Sequence, residues 1–152
     1  MTTITANLEV MASDSKITME TKTDSRNFTA SKLVVKDGDI IGAAGSCDYG
    51  ERFIAWYGTK KKRPVLPKDA EFEALVLTKD GRLIHYDETL TRSILRDPFF
   101  AVGSGAHAAL AALHLGCDPV RAIEVACLVD PFSGPPVQVI RRDPLPDASI
   151  PF

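Results

Sequence analysis

Met1-Thr2-Thr3-Ile4-Thr5-Ala6-Asn7-Leu8 opens the chain, and its pattern decides the fold. Thr3, Thr5 and Asn7 alternate with Ile4, Ala6 and Leu8, the period of two expected of a β-strand with one polar and one apolar face. Thr2 stands just ahead of that strand. Methionine before a small residue is a start that an aminopeptidase trims, and loss of Met1 leaves Thr2 N-terminal. An N-terminal threonine carries a nucleophile and a base on one residue. Its hydroxyl attacks, and its own α-amine, with a reference pKa of about 7.7–8.0, takes the proton. A plain initiator followed by an edge strand has the same local sequence, so the chemistry depends on what the rest of the chain places around Thr2.

Outward from this start, Val10-Met11-Ala12-Ser13-Asp14 continues as a second extended piece, and Ile17 to Thr23 alternates again. Asp24 to Ala30 is polar and reads as a loop. Lys32 to Lys36 predicts a strand, Asp37-Gly38 a tight turn, and Asp39 to Gly45 the hairpin partner. The first 45 residues therefore predict four or five short strands in a meander. Ser46 to Tyr57 predicts a helix with Phe53, Ile54, Trp56 and Tyr57 as its apolar stripe and Gly58 as its stop. The basic run Lys60-Lys61-Lys62-Arg63-Pro64, with Pro67 beyond it, reads as a solvated loop. Glu71 to Thr78 and Arg82 to Leu90 predict a second hairpin about Asp80-Gly81, and Phe99 to Val102 a short buried strand before Gly103-Ser104-Gly105.

Two helices follow. Ala106 to Leu115 is rich in alanine and ends at Gly116, and Asp118-Pro119 is an N-cap with proline at the first helical position. Asp130-Pro131 ends the second helix, and Val137 to Ile140 is a last strand. Residues 143–152 hold three prolines and no periodicity, so the division is a domain over 1–142 and a proline-rich tail over 143–152. The order suits an α+β architecture of two antiparallel sheets with helices outside them.

The bulk composition narrows the function classes. With 152 residues, 45% hydrophobic and 25% charged, the chain suits one domain with a real core. A net charge of −2 argues against nucleic acid or an anionic membrane as partner. No apolar run is long enough to span a bilayer, and the polar residues from Thr3 to Asp14 argue against a secretory signal. Cys47, Cys117 and Cys127, an odd number with no CxxC pair, read as reduced thiols in a cytoplasmic protein. His107 and His114 share a helix face, but they and His85 lack the spacing of a metal site, and no phosphate-binding fingerprint is present, so no metal or cofactor is expected.

Several features could serve an N-terminal threonine: Asp14 after the second strand piece, Lys32 at a strand start, Gly45 at a strand end where its N–H is expected to be free, Ser104 between two glycines, and Asp130 with Ser133 in Asp-Pro-Phe-Ser-Gly. In this order, with Thr2-Thr3-Ile4, Ala12-Ser13-Asp14-Ser15, Lys32-Leu33, Ile41-Gly42-Ala43-Ala44-Gly45-Ser46, Ala101-Val102-Gly103-Ser104-Gly105 and Asp130-Pro131-Phe132-Ser133-Gly134, the chain resembles the proteasome β-type family of N-terminal nucleophile (Ntn) hydrolases, and within it the HslV-like peptidases. The resemblance covers most of residues 2 to 140.

The resemblance implies a four-layer αββα sandwich with Thr2 in a cleft between the sheets. It implies a threonine-type endopeptidase, with Thr2 as nucleophile and its α-amine as base. Lys32 would lower the pKa of that amine and hydroxyl, and Asp14 would hold Lys32 charged. The Gly45 N–H would bind the oxyanion. Ser104, Asp130 and Ser133 would hold the amine and its water. The family also implies a homo-oligomeric ring acting on peptide or unfolded-protein substrates, and an ATP-dependent unfoldase as partner. Relatives carry two long helices where Ser46 to Ala70 has room for one, which bears on ring and unfoldase alike. Ala43 and Cys47 would border the side-chain pocket, implying a small or apolar residue before the scissile bond. Two alternatives share the fold: a non-catalytic scaffold subunit, and a small-molecule amidase.

Overall fold

The structure, a computed structural model, describes residues 1–143. Its first strand, β1 (Thr3–Asn7), is no edge strand: it lies between β2 (Val10–Ser13) and β10 (Phe99–Gly103). With β11 (Gln138–Arg141) beyond β2, these form a four-stranded antiparallel sheet in the order β10-β1-β2-β11. Both faces of β1 are covered. Ile4 and Ala6 join the core between the sheets, whereas Thr5 turns its hydroxyl to the Pro119 carbonyl at 2.9 Å on the helix side. The threonine alternation thus encodes a buried polar face whose hydroxyls have partners.

The second sheet has five strands, β5 (Leu33–Lys36), β6 (Asp39–Gly45), β7 (Phe72–Leu77), β8 (Leu83–Tyr86) and β9 (Arg92–Ile94), hydrogen-bonded in that order and all antiparallel. The core between the two sheets joins Ile4, Met11 and Val102 to Leu33, Ile40, Leu75, Leu77 and Leu83. At Gly42 the sheets leave no room for a side chain, since an added Cβ would lie 2.8 Å from Ile4. Helix α1 (Cys47–Trp56) covers the outer face of the five-stranded sheet through Phe53, whose ring centroid is 4.8 Å from that of Tyr86. Helices α2 (Ala106–His114) and α3 (Pro119–Val129) cover the four-stranded sheet, meeting through Ala109, Ala112, Ala122 and Ala126. Small side chains let these helices approach closely. The α3 cap is as expected, with the Asp118 carboxylate accepting from the Arg121 N–H at 2.8 Å. The layers are helix, sheet, sheet, helices: the expected αββα sandwich.

Three local expectations change. The opening strands are not one meander, because β1 and β2 belong to one sheet and β5 and β6 to the other. Between them β3 (Lys16–Glu20) and β4 (Ser25–Thr29) form a separate hairpin, so the segment read as a polar loop from Asp24 to Ala30 contains a strand. Every residue of β4 is exposed, which leaves it no apolar alternation to read; pairing with β3 makes it a strand. The strand expected from Arg82 to Leu90 ends at Tyr86. There the Asp87 carboxylate accepts from the N–H groups of Thr89 and Thr91, and the chain turns into β9. The tail expected from residue 143 lies, beyond Asp143, outside the described residues.

Candidate active site

Thr2 and Thr3 are fixed from one side by the loop after β10. The Ser104 N–H donates to the Thr2 carbonyl and the Gly105 N–H to Thr3 Oγ1, both at 2.9 Å. Glycine is required on each side of Ser104. Gly103 has φ +98°, and a Cβ there would lie 1.7 Å from the Thr2 carbonyl oxygen; one on Gly105 would lie 2.3 Å from Thr3 Oγ1.

The Thr3 hydroxyl leads into a directed chain. Ser133 Oγ is 2.7 Å from Thr3 Oγ1 and donates to Asp130 Oδ2 at 2.6 Å, so Thr3 donates to Ser133 while accepting from Gly105. Ser104 Oγ donates to the same Asp130 oxygen at 2.6 Å, and the Phe132 N–H to the other at 3.1 Å. Burial pushes the Asp130 carboxyl up. The Ser104 and Ser133 hydroxyls, the Phe132 N–H and the N-terminal ammonium outweigh it and hold the carboxyl below its ordinary range. The sign follows from linkage: a depressed folded value stabilises the fold above the unfolded pKa of about 3.9, and that stabilisation is lost as pH falls through the folded value. Unfolding free energy measured from pH 6 to pH 2 is therefore expected to fall more steeply for the parent than for Asp130→Asn. Parallel curves would contradict this.

On the other side of the Thr2–Thr3 backbone lies a buried ion pair. Lys32, just before β5, places its ammonium 2.9 Å from Asp14 Oδ1, with side-chain exposures of 4% and 0%. Its other two acceptors are the Lys16 carbonyl at 2.6 Å and the Met1 carbonyl at 3.0 Å. Asp14 also accepts from the N–H groups of Thr3, Lys16 and Gly134, at 3.0, 3.2 and 3.1 Å. Burial pushes the Lys32 ammonium below the usual lysine range, and the hydrogen bond and charge of Asp14 oppose that shift. The Met1 oxygen and the Thr2 nitrogen belong to one peptide unit and are about 2.3 Å apart by covalent geometry. The Lys32 ammonium therefore lies within roughly 5 Å of the Thr2 nitrogen.

Thr2 itself is 6% exposed. Its hydroxyl has no hydrogen-bond partner among the described residues, although every fully buried polar side-chain atom there has one. The hydroxyl therefore reaches open space, and Thr2 lines a cavity of about 390 Å³ together with Gly45 and Ser104. Gly45 has φ +126°, and a Cβ there would meet the Glu71 carbonyl at 2.3 Å. The seven residues singled out in the sequence thus fall into three connected groups. Thr2, Gly45 and Ser104 line the cavity; Asp14 and Lys32 pair behind the Thr2 nitrogen; Asp130 and Ser133 reach Thr3, with Ser104 as the link. The described hydrogen bonds of Ser133 go to Thr3 and Asp130, not to Thr2. Glu71, Glu73 and Glu88 also line this cavity, whereas Ala43 and Cys47 do not.

Two participants were not apparent in the sequence. One is the Thr3 hydroxyl. The other is Gln138, whose side-chain carbonyl accepts from the Lys32 N–H at 2.9 Å while its amide donates to Ser15 Oγ at 2.7 Å and the Ala30 carbonyl at 2.5 Å. A single glutamine in a short strand carries no local sign that it clamps a lysine over a hundred residues away.

Among solved structures, BPH from Thiobacillus denitrificans superposes with a TM-score of 0.65 at 16% identity, over 94% of this chain and 98% of that one. The same protein in complex with Epoxomicin gives a TM-score of 0.65 at 16% identity, over 94% and 99%. HslV from Trypanosoma brucei gives 0.63 at 18% identity, over 91% and 98%. This is the HslV-like fold. No family model matches the sequence. No curated protein matches it either. At these identities the HslV-like likeness is one of architecture, matched over nearly the whole of each chain.

Proposed function

We propose that this chain is a threonine-type peptidase that works once Met1 has been removed. The observation that carries this is the Asp14-held Lys32 ammonium within roughly 5 Å of the Thr2 nitrogen, beside a Thr2 hydroxyl that opens onto a cavity. Removal of Met1 turns that nitrogen into an amine and takes away one acceptor of Lys32, leaving an ammonium donor directed at the new N-terminus. The positive charge lowers the pKa of the amine and favours its neutral, basic form.

Thr2 Oγ attacks the substrate carbonyl carbon, and its proton passes to the Thr2 amine. The oxyanion is held by the Gly45 N–H. The tetrahedral intermediate expels the leaving amine, which takes the proton back, and the acyl group remains as an ester on Thr2 Oγ. Water then attacks the ester with the amine again as base, regenerating the hydroxyl and releasing the acid. Ser104, Asp130 and Ser133 position the Thr2–Thr3 backbone and the N-terminal charge. The substrate is a peptide or unfolded protein, and the working form is a cytoplasmic homo-oligomeric ring served by an ATP-dependent unfoldase. Ring formation is supported by Leu115, Leu128 and Val129, which are 87%, 84% and 67% exposed at the ends of α2 and α3. A chain that kept Met1 would have no amine base and would fit a scaffold subunit.

The test is intact mass before and after treatment with a threonine-directed β-lactone, with Epoxomicin as a second probe. Loss of Met1 and a single adduct mapping to Thr2 is expected. Retained Met1 with no adduct would end the peptidase proposal.

A further inference from the structure

The cavity beside Thr2 has an uneven chemical lining. Three glutamates line it, Glu71, Glu73 and Glu88, and among the described residues no lysine, arginine or histidine does. They arrive from separate parts of the chain. Glu73 pairs with Ala44 across β6 and β7, while Glu71 immediately precedes Phe72, the partner of Gly45. Glu88 comes from the turn between β8 and β9. Glu71 and Glu88 have no ion-pair partner among the described residues, and Glu73 has only His85 at 3.8 Å. Once Met1 is removed, Ala44, Ala70 and Phe72 remain as apolar lining of the same cavity. Thr2, only 6% exposed as a residue, has a hydroxyl without a hydrogen-bond partner among the described residues, which separately marks the cavity as a place where a ligand is received.

We propose that this cavity selects substrates with a cationic side chain, lysine or arginine, next to the bond that Thr2 attacks. The inference rests on the peptidase reading of Thr2 and adds its substrate class. An amphipathic side chain suits the lining: its methylene stem lies against apolar surface and its charged head meets the carboxylates. Because Glu71 and Glu88 are exposed and Glu73 half-buried, the attraction is screened by salt.

The test compares kcat/KM for peptides that differ only in lysine, arginine, norleucine or glutamate on either side of the scissile bond, at low and high salt, with processed protein. A cationic residue is expected to be preferred over norleucine by about tenfold at low salt, as for charge pairs at a partly exposed site. That ratio falls in high salt and drops towards one in Glu71→Gln/Glu73→Gln, and Glu73→Lys moves the preference towards glutamate. A ratio near one, or a preference for apolar or acidic residues in the parent, overturns the inference. A second measurement separates it from the peptidase reading: equilibrium binding of the lysine and norleucine peptides to Thr2→Ala. If no peptide is cleaved by the parent but lysine peptide still binds about tenfold tighter, the cationic site stands and the peptidase reading falls. Cleavage without any such preference leaves the peptidase and removes the cationic site. Equal binding of the two peptides to Thr2→Ala, undetectable binding included, counts against the site in the same way.

Discussion

Thr2→Ala abolishes hydrolysis, with an expected loss on the order of 10⁴-fold or more, while the fold and any assembly persist. The substitution removes the attacking oxygen itself, so no neighbouring group can substitute for it. Its structural cost is small for a nearly buried residue, because the Thr2 hydroxyl has no hydrogen-bond partner among the described residues to orphan, and the backbone bond from the Ser104 N–H to the Thr2 carbonyl is unchanged. The loss of one methyl group costs about 1 kcal/mol. Thr3→Ala behaves in the opposite way. It breaks the chain from Gly105 through Ser133 to Asp130 and so lowers stability as well. Peptide turnover, thermal unfolding and sedimentation of the two variants make the comparison. Residual turnover close to the parent in Thr2→Ala would take Thr2 out of the mechanism.

Asp14→Ala is expected to be more destabilising than Lys32→Met, although the two remove opposite ends of one ion pair. Without Asp14 the Lys32 ammonium stays buried with only two carbonyl acceptors, and the N–H groups of Thr3, Lys16 and Gly134 lose their partner. Breaking a buried pair in this way costs about 3–5 kcal/mol, a large share of the roughly 5–15 kcal/mol that holds a domain together. Without Lys32, by contrast, Asp14 keeps three N–H donors, so its charge remains solvated by the backbone, and methionine fills the space left by the lysine stem. At about 2–4 °C per kcal/mol for a chain of this size, Asp14→Ala lowers Tm by roughly 6–20 °C. Both variants lose activity under the proposed mechanism. Denaturant midpoints at constant slope give the ranking, and a Lys32→Met variant at least as unstable as Asp14→Ala would refute this account of the pair.

Short-range features of the sequence foretold much of this molecule. The alternation of Thr3 to Asn7 marked β1, Asp118-Pro119 marked the start of α3, and Asp37-Gly38 and Asp80-Gly81 marked hairpins that form. Each such signal is written in a few adjacent residues, through side-chain period, capping oxygen or turn geometry, and needs no partner elsewhere. The sandwich, and the seven residues gathered about the Thr2–Thr3 backbone, were legible because the spacing of those short pieces resembled a known family.

Tertiary structure alone decided the rest. It divided the first six strands among three sheets and made a strand of the exposed, non-periodic Ser25–Thr29. It turned the Thr3 hydroxyl into the link to Ser133 and Asp130, brought Gln138 under Lys32, and gathered Glu71, Glu73 and Glu88 around one cavity. In each case the deciding contact joins residues far apart in the chain. A buried hydrogen bond or a shared cavity wall has no period or spacing in sequence, and exists only once the sheets have paired.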